Sequence, residues 1–209
     1  SMYKLLFFIF IVALNDGYAQ EKNVIIDFSS GIGFVDWQSC LTKNYFQIGE
    51  KKSTTKYYYG YNLPLKLSLL LKNNKLSYGF GFNYEQLYMR KIEYDNKTTR
   101  KAYTKIYLQG EYQLKNYGKW VCGINVQIGK YFPEDVSLGN YEFFIGTGLI
   151  IQYSMSDKYI LYFKPEYESK YCNVHFTAQE ALPSGNYVKI NTNNFIHHVN
   201  ANIGFRFRI

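Results

Sequence analysis

Hydrophobic and polar residues alternate with a period of two over most of this chain. From Phe195 to Ile209 the odd positions are Phe195, His197, Val199, Ala201, Ile203, Phe205, Phe207 and Ile209, apolar at seven of eight, while six of the seven even positions are polar or small. A helix would scatter these residues around its circumference, whereas a strand sends successive side chains to opposite faces. From Tyr57 to Leu71 every odd position is Tyr or Leu, and the even set holds Gly60, Asn62, Pro64, Lys66 and Ser68. The pattern recurs in six further segments: from Val24 to Phe34 around Asp27, from Leu76 to Glu85, from Lys105 to Leu114 around Glu111, from Trp120 to Gly129, from Phe143 to Ser154, and from Leu161 to Glu168 with Lys164 and Glu166 on the polar face. It predicts eight two-faced strands.

The strands are too long for an ordinary soluble sheet, whose strands run to about five or six residues, and they suit a tilted membrane crossing of about 9 to 11. The connections support this reading. KNNK, KNYGK and MSDK are tight turns, whereas the stretch around residues 38–56, DNKTTRK, YFPEDVSLGN and TAQEALPSGNYVKINTNN read as longer loops. Short turns at one end and long loops at the other predict an all-β fold, an eight-stranded antiparallel up-and-down transmembrane β-barrel with short periplasmic turns and long extracellular loops.

A soluble barrel would have the opposite polarity, and size decides between the two. Eight strands leave an interior just wide enough to be filled by side chains, and here the polar face is also the glycine-rich one. The Leu, Phe and Tyr face therefore meets lipid. Aromatics gather in two expected girdles, Tyr78, Trp120, Tyr153, Tyr159 and Phe207 at the short-turn end and Trp37, Tyr57, Tyr59, Tyr84, Tyr88, Tyr141, Tyr167 and Tyr171 at the other. The expected lumen network comprises Asp27, Lys66, Glu85, Glu111, Lys164, Glu166, Glu168, Arg206 and Arg208. Within it, Asp27 is expected to meet Arg206 where the first strand closes on the last. Mixed signs among buried charges imply a plugged lumen rather than a wide pore.

Lys4 followed by the apolar run Leu5 to Leu14, with Gly17 and Ala19 at small-residue positions, reads as a secretory signal. The expected organisation is a signal peptide over 1–19 and an outer-membrane barrel domain over 20–209. The formal charge of +8 does not point to nucleic acid in an exported chain. Lipopolysaccharide phosphates, outer-membrane lipid or another outer-membrane protein are the expected partners. The cysteine count of three is odd and excludes a full disulfide framework. Cys40 and Cys172 both fall at the loop end, where a loop-fastening disulfide and free thiols stay open as alternatives, and Cys122 reads as an apolar filler.

A small-x-Ala signal followed by Gln20, eight long two-faced strands and an aromatic C-terminal strand together resemble the small outer-membrane barrel family of Bacteroidota, similar in architecture to OmpX and the OmpA membrane domain. The resemblance implies an outer-membrane location. It departs from the OmpA pattern in ending on Ile209 rather than Phe, and no peptidoglycan-binding domain follows the barrel in this sequence. No Gly-rich phosphate loop is present, since GIGF, GFGF and GTG lie within strands, and no metal site is expected, since His197 and His198 are adjacent and face opposite sides of the wall.

His175, His197 and His198 are the candidate catalytic groups for a lipid A deacylase or acyltransferase, but no nucleophile motif surrounds them, and they read as girdle residues instead. The expected function is non-enzymatic, through loops or wall, with a lipid-modifying enzyme and a narrow channel as alternatives. Processing at the signal predicts an exported protein that begins at Gln20, which intact-mass measurement of the membrane form checks.

Overall fold

Alternating side chains become a wall only when each strand finds two neighbours, and here every strand does. The computed structural model describes residues 23–45, 50–91, 98–133, 142–179 and 187–209. The expected signal peptide lies outside them, as do Tyr141 and most of the connecting loops. The strands are β1 (Asn23–Tyr45), β2 (Glu50–Asn73), β3 (Leu76–Lys91), β4 (Thr98–Tyr117), β5 (Trp120–Pro133), β6 (Glu142–Ser154), β7 (Tyr159–Gln179) and β8 (Tyr187–Arg208). Each pairs antiparallel with the next, and β1 pairs with β8 to close the barrel. The closing register sets Asp27 opposite Arg206 and Val35 opposite His198.

Among the described residues parity holds around the wall, apart from a bulge between Gln113 and Lys115 at the short-turn end of β4. Phe28, Phe34, Leu67, Phe80, Ile106, Val126, Ile145, Leu149, Val199 and Ile203 are exposed on the outside, whereas Asp27, Lys66, Glu85, Glu111, Asn125, Gln152, Lys164, Glu166 and Arg206 are buried inside. Apolar outside and charged inside is the polarity of a barrel whose solvent is hydrocarbon. In that solvent backbone N–H and C=O groups need internal partners, which a closed ladder provides.

Local chemistry shapes the short-turn end. Asn74 and Gly118 take the left-handed backbone (φ 52° and 64°), which Gly and Asn adopt most readily, so β2–β3 and β4–β5 each turn within two residues, Asn74–Lys75 and Gly118–Lys119. Inside, a Cβ on Gly204 or on Gly81 would collide with the ring of Tyr162 or Tyr107, which lie opposite them in register. Both phenols are therefore folded against a neighbouring strand rather than projected across the lumen.

Two expectations change. The stretches read as the first and last long loops are largely strand, with β1–β2 pairing as far as Tyr45 with Glu50 and β7–β8 as far as Gln179 with Tyr187. Backbone pairing does not require apolar side chains, so the ladder continues beyond the apolar band. Strands β7, β8, β1 and β2 run to 21–24 residues against 13 and 14 for β6 and β5, and one side of the barrel stands higher at the loop end. Trp37 is also not a girdle residue. Its odd position in β1 faces inward, and it is 6% exposed, packed with Val35, Leu87, Met89, Tyr103, Tyr131 and Ile196.

Gly204→Val, which overfills the Tyr162 contact, is expected to destabilise the barrel by about 1–3 kcal/mol in urea unfolding from lipid vesicles. Val126→Lys on the outer wall is expected to cost about 2–4 kcal/mol by the same measurement.

Candidate functional site

The lumen concentrates the barrel's chemistry. Its buried side chains include five carboxylates, Asp27, Glu85, Glu111, Glu166 and Glu168, and five cations, Lys66, Lys105, Lys164, Lys170 and Arg206. These charges cancel, so the chain's net +8 resides elsewhere. Isolated buried ions are expensive, and pairing with additional hydrogen bonds makes them tolerable.

Nearest the short turns, Arg206 bridges two acids. Its Nε and Nη2 donate to Asp27 Oδ2 at 3.0 and 2.7 Å, and its Nη1 and Nη2 donate to Glu111 at 2.7 and 2.6 Å. The guanidinium lies 4.6 Å from the ring centroid of Tyr162, whose hydroxyl donates to the other Asp27 oxygen. This planar fork suits arginine and would not suit lysine. Gln109 donates to Glu111 at 2.6 Å and accepts from Gln127 at 3.1 Å, so the acid is also held from the β5 side. Ile25, Leu70, Ile150 and Ile160, all buried, face inward around this end.

In the middle, Lys66 donates to Glu166, whose second oxygen stands 3.6 Å from the Lys164 ammonium. Ser68 and Tyr107 share a 3.0 Å hydroxyl contact across β2 and β4.

Toward the loops, Glu85 and Glu168 alternate with Lys105 and Lys170. Lys105 contacts both acids, at 2.5 Å for Glu168, and Lys170 lies 3.3 Å from Glu85 and 3.2 Å from Glu168. His198 Nδ1 is 2.7 Å from Glu85 and its Nε2 is 3.1 Å from Lys170. Asn62 donates to Glu85 at 3.1 Å and to Asn200 at 2.8 Å. Lys170 also sits 5.5 and 5.4 Å from the ring centroids of Tyr103 and Tyr131, members of the apolar cluster that closes this end.

Glu85, Glu168 and His198 offer ligand-type atoms within 4.8 Å of one another, the one arrangement among the described residues resembling a metal centre. Two ammonium groups already stand between its carboxylates, and a divalent ion would have to displace them. The geometry is that of an ion-pair network.

The residues expected in the lumen all point inward, with Arg208 half-buried at the rim. Lys105, Lys170 and His198 were missed as members, although each shares the parity of an expected partner in its own strand. His198 is thereby corrected from girdle to lumen. His197 faces outward, its Nδ1 2.9 Å from the Tyr167 hydroxyl and its ring stacked on the same residue. The side chain of His175 lies outside the described residues. Cys40 pairs in register with Asn193 and Cys172 with Asn194, so β8 runs between them. Two strand spacings, roughly 10 Å, exceed the about 7 Å that a disulfide can span, and the loop-fastening alternative is set aside. Cys40 Sγ instead lies 3.5 Å from Ser53 Oγ.

No protein-family model and no curated protein matches the chain. Among solved structures it is similar to Neisserial surface protein A, with 11% identity over 87% of this chain and 99% of that one and a TM-score of 0.36. It is also similar to the outer-membrane protease OmpT of Escherichia coli (9% identity, 92% and 99%, TM-score 0.41) and to the outer-membrane protein AlkL in lipid bilayers (11%, 88% and 90%, 0.39).

Replacing Arg206 by Met leaves Asp27 and Glu111 buried without their counter-ion and is expected to cost about 3–5 kcal/mol. Neutralising the two acids in the same variant, Asp27→Asn with Glu111→Gln, is expected to recover most of that loss, a non-additivity that a double-mutant cycle in urea unfolding measures.

Proposed function

We propose that the protein is a non-enzymatic barrel of the bacterial outer membrane whose lumen is a structural plug and whose working surfaces are its loop end and outer wall. The filled lumen is the observation that carries this reading. Ion pairs occupy three successive levels, all but Lys164 reaching the opposite wall or a neighbouring strand, with apolar side chains at both ends. Water and ions crossing such an interior would have to break several desolvated pairs at once.

Binding or adhesion at the cell surface, contact with lipopolysaccharide or outer-membrane lipid, and service as a subunit of an outer-membrane complex are the roles a plugged barrel leaves open. The tall β7–β8–β1–β2 side supports the loop end as the specialised surface, since it projects backbone well past the apolar band. The placement of the histidines supports a non-catalytic reading, because His198 is committed to the interior pairs. On the wall, His197 is matched by Tyr167 rather than by an acid and a nucleophile.

In planar bilayers the wild-type protein is expected to show no stepwise conductance, whereas Lys105→Ala with Arg206→Ala, which unpairs two levels, is expected to leak. Steady ohmic current through the wild type would replace the plug by a channel. Mild-detergent capture from native outer membranes then separates a complex subunit from a free-standing barrel by the presence of a stoichiometric protein.

A further inference from the structure

The short-turn rim carries a regularity that neither lumen nor loops explain. A lysine stands immediately before each strand that rises from this end: Lys75 before β3, Lys119 before β5 and Lys158 before β7. Lys22 occupies the same place before β1 in the sequence. The three described lysines are held at fixed stations. The carbonyl of Lys75 accepts the N–H of Gln113 on β4, that of Lys119 accepts Ser154 on β6, and that of Lys158 accepts Arg208 on β8, each at 2.8 Å. Every hairpin is thus fastened to the next around the rim, while the lysine side chains are exposed.

Lys115 is exposed there too, 4.8 Å from the ring centroid of Tyr117. Asp157 is the one acidic side chain among the described residues of the three turns. The rim is therefore cationic by design of position, not by average composition.

Outward aromatics, Tyr117, Trp120 and Tyr159, lie directly above these cations. Cations beneath an aromatic belt match the depth order of a bilayer, with phosphate at the charged level and acyl chain above it. A soluble polyanion would make no use of the aromatics. Beside the Asn74–Lys75 turn the wall also has an apolar groove of about 480 Å³ lined by Ile26, Leu67, Leu69, Phe80, Phe82 and Ile106. Leu69 and Phe80 are within six residues of Lys75 along their strands, so a lipid with its phosphate at the rim would reach the groove with its chain.

We propose that the short-turn rim is a binding surface for anionic glycerophospholipids of the leaflet on that side, their phosphates held one apiece at Lys75, Lys119 and Lys158, with an acyl chain of the lipid at Lys75 seated in the β1–β4 groove. This rests on the membrane-barrel reading and adds to it a leaflet and a lipid class.

The chain carries its own reporter. Trp120 adjoins Lys119 and is 51% exposed, while the other tryptophan, Trp37, is buried inside at the far end. The barrel is reconstituted in phosphatidylcholine containing equal small fractions of either brominated-chain phosphatidylglycerol or brominated-chain phosphatidylcholine, and tryptophan quenching is read. Stronger quenching by the phosphatidylglycerol is expected, with the preference falling roughly fivefold per lysine neutralised and lost in the Lys75→Gln, Lys119→Gln, Lys158→Gln variant. Those substitutions leave the fastening backbone hydrogen bonds in place, and heat-modifiable electrophoretic mobility confirms that the variant is folded.

Equal quenching by the two lipids in the wild type overturns the proposal, as does a folded triple variant that keeps the preference. Quenching by neither lipid would sink the membrane reading itself. Conductance of the same reconstituted protein tests the plug separately, and a conducting barrel would leave the lipid preference untouched.

Discussion

Closure of β1 on β8 is the constraint on which the rest of the molecule depends. In hydrocarbon an unpaired strand edge leaves a row of backbone N–H and C=O groups without partners, so the wall must be continuous. Once it is continuous, an inward or outward assignment at one residue propagates along each strand by alternation and from strand to strand by register. Asp27 opposite Arg206 and Ser29 opposite Gly204 are consequences of that one seam. A slip of one residue would turn β1 over and send Asp27 into lipid.

The seam also explains why the interior is ionic. Eight strands enclose too little space for a water-filled passage, and long side chains must fill it. Lys and Arg reach across the lumen, as Lys66 to Glu166 and Arg206 to Glu111 do, and the carboxylates that receive them remove the cost of their charge. Glycines supply the remaining room: Gly81 and Gly204 accept the flat faces of Tyr107 and Tyr162, so that these phenols become donors and walls within the network. The result is an interior in which most charges are specified by a neighbour on another strand, Lys164 being held by Glu166 of its own strand, and such desolvated networks favour one arrangement over alternatives.

A filled interior leaves the two ends and the outer wall as the exposed surfaces, and these are asymmetric. At the loop end, among the described residues, the ladder continues furthest past the apolar band through β7, β8, β1 and β2. At the other end the hairpins are tight, mutually hydrogen-bonded and crowned with lysine. The short-turn end presents lysines on fastened hairpins, while the wall above it is apolar.

Much of this was legible from residue order, because strand parity is a local property of the backbone with a period of two. The count of strands, the inward position of each lumen carboxylate and the tight turns at Asn74 and Gly118 all follow from neighbours within a few residues. Even the Asp27 to Arg206 contact follows once closure is assumed, since the two residues stand near the ends of the strands that must meet. What residue order could not supply is partnership across the lumen and the upper limit of the strands. Glu111 joins Arg206, and Lys105 joins Glu85 and Glu168, through the stagger of ladders that no single strand encodes. The extension of β1 and β2 past the apolar band is set by backbone pairing, which leaves no mark in hydrophobicity. Trp37 and His198 show the boundary between the two kinds of information: their parity placed them inside, but only the packed interior, with Met89 and Ile196 beside one and Glu85 and Lys170 beside the other, decided that an aromatic cap and an ion pair outweigh the interfacial preference of the residue types.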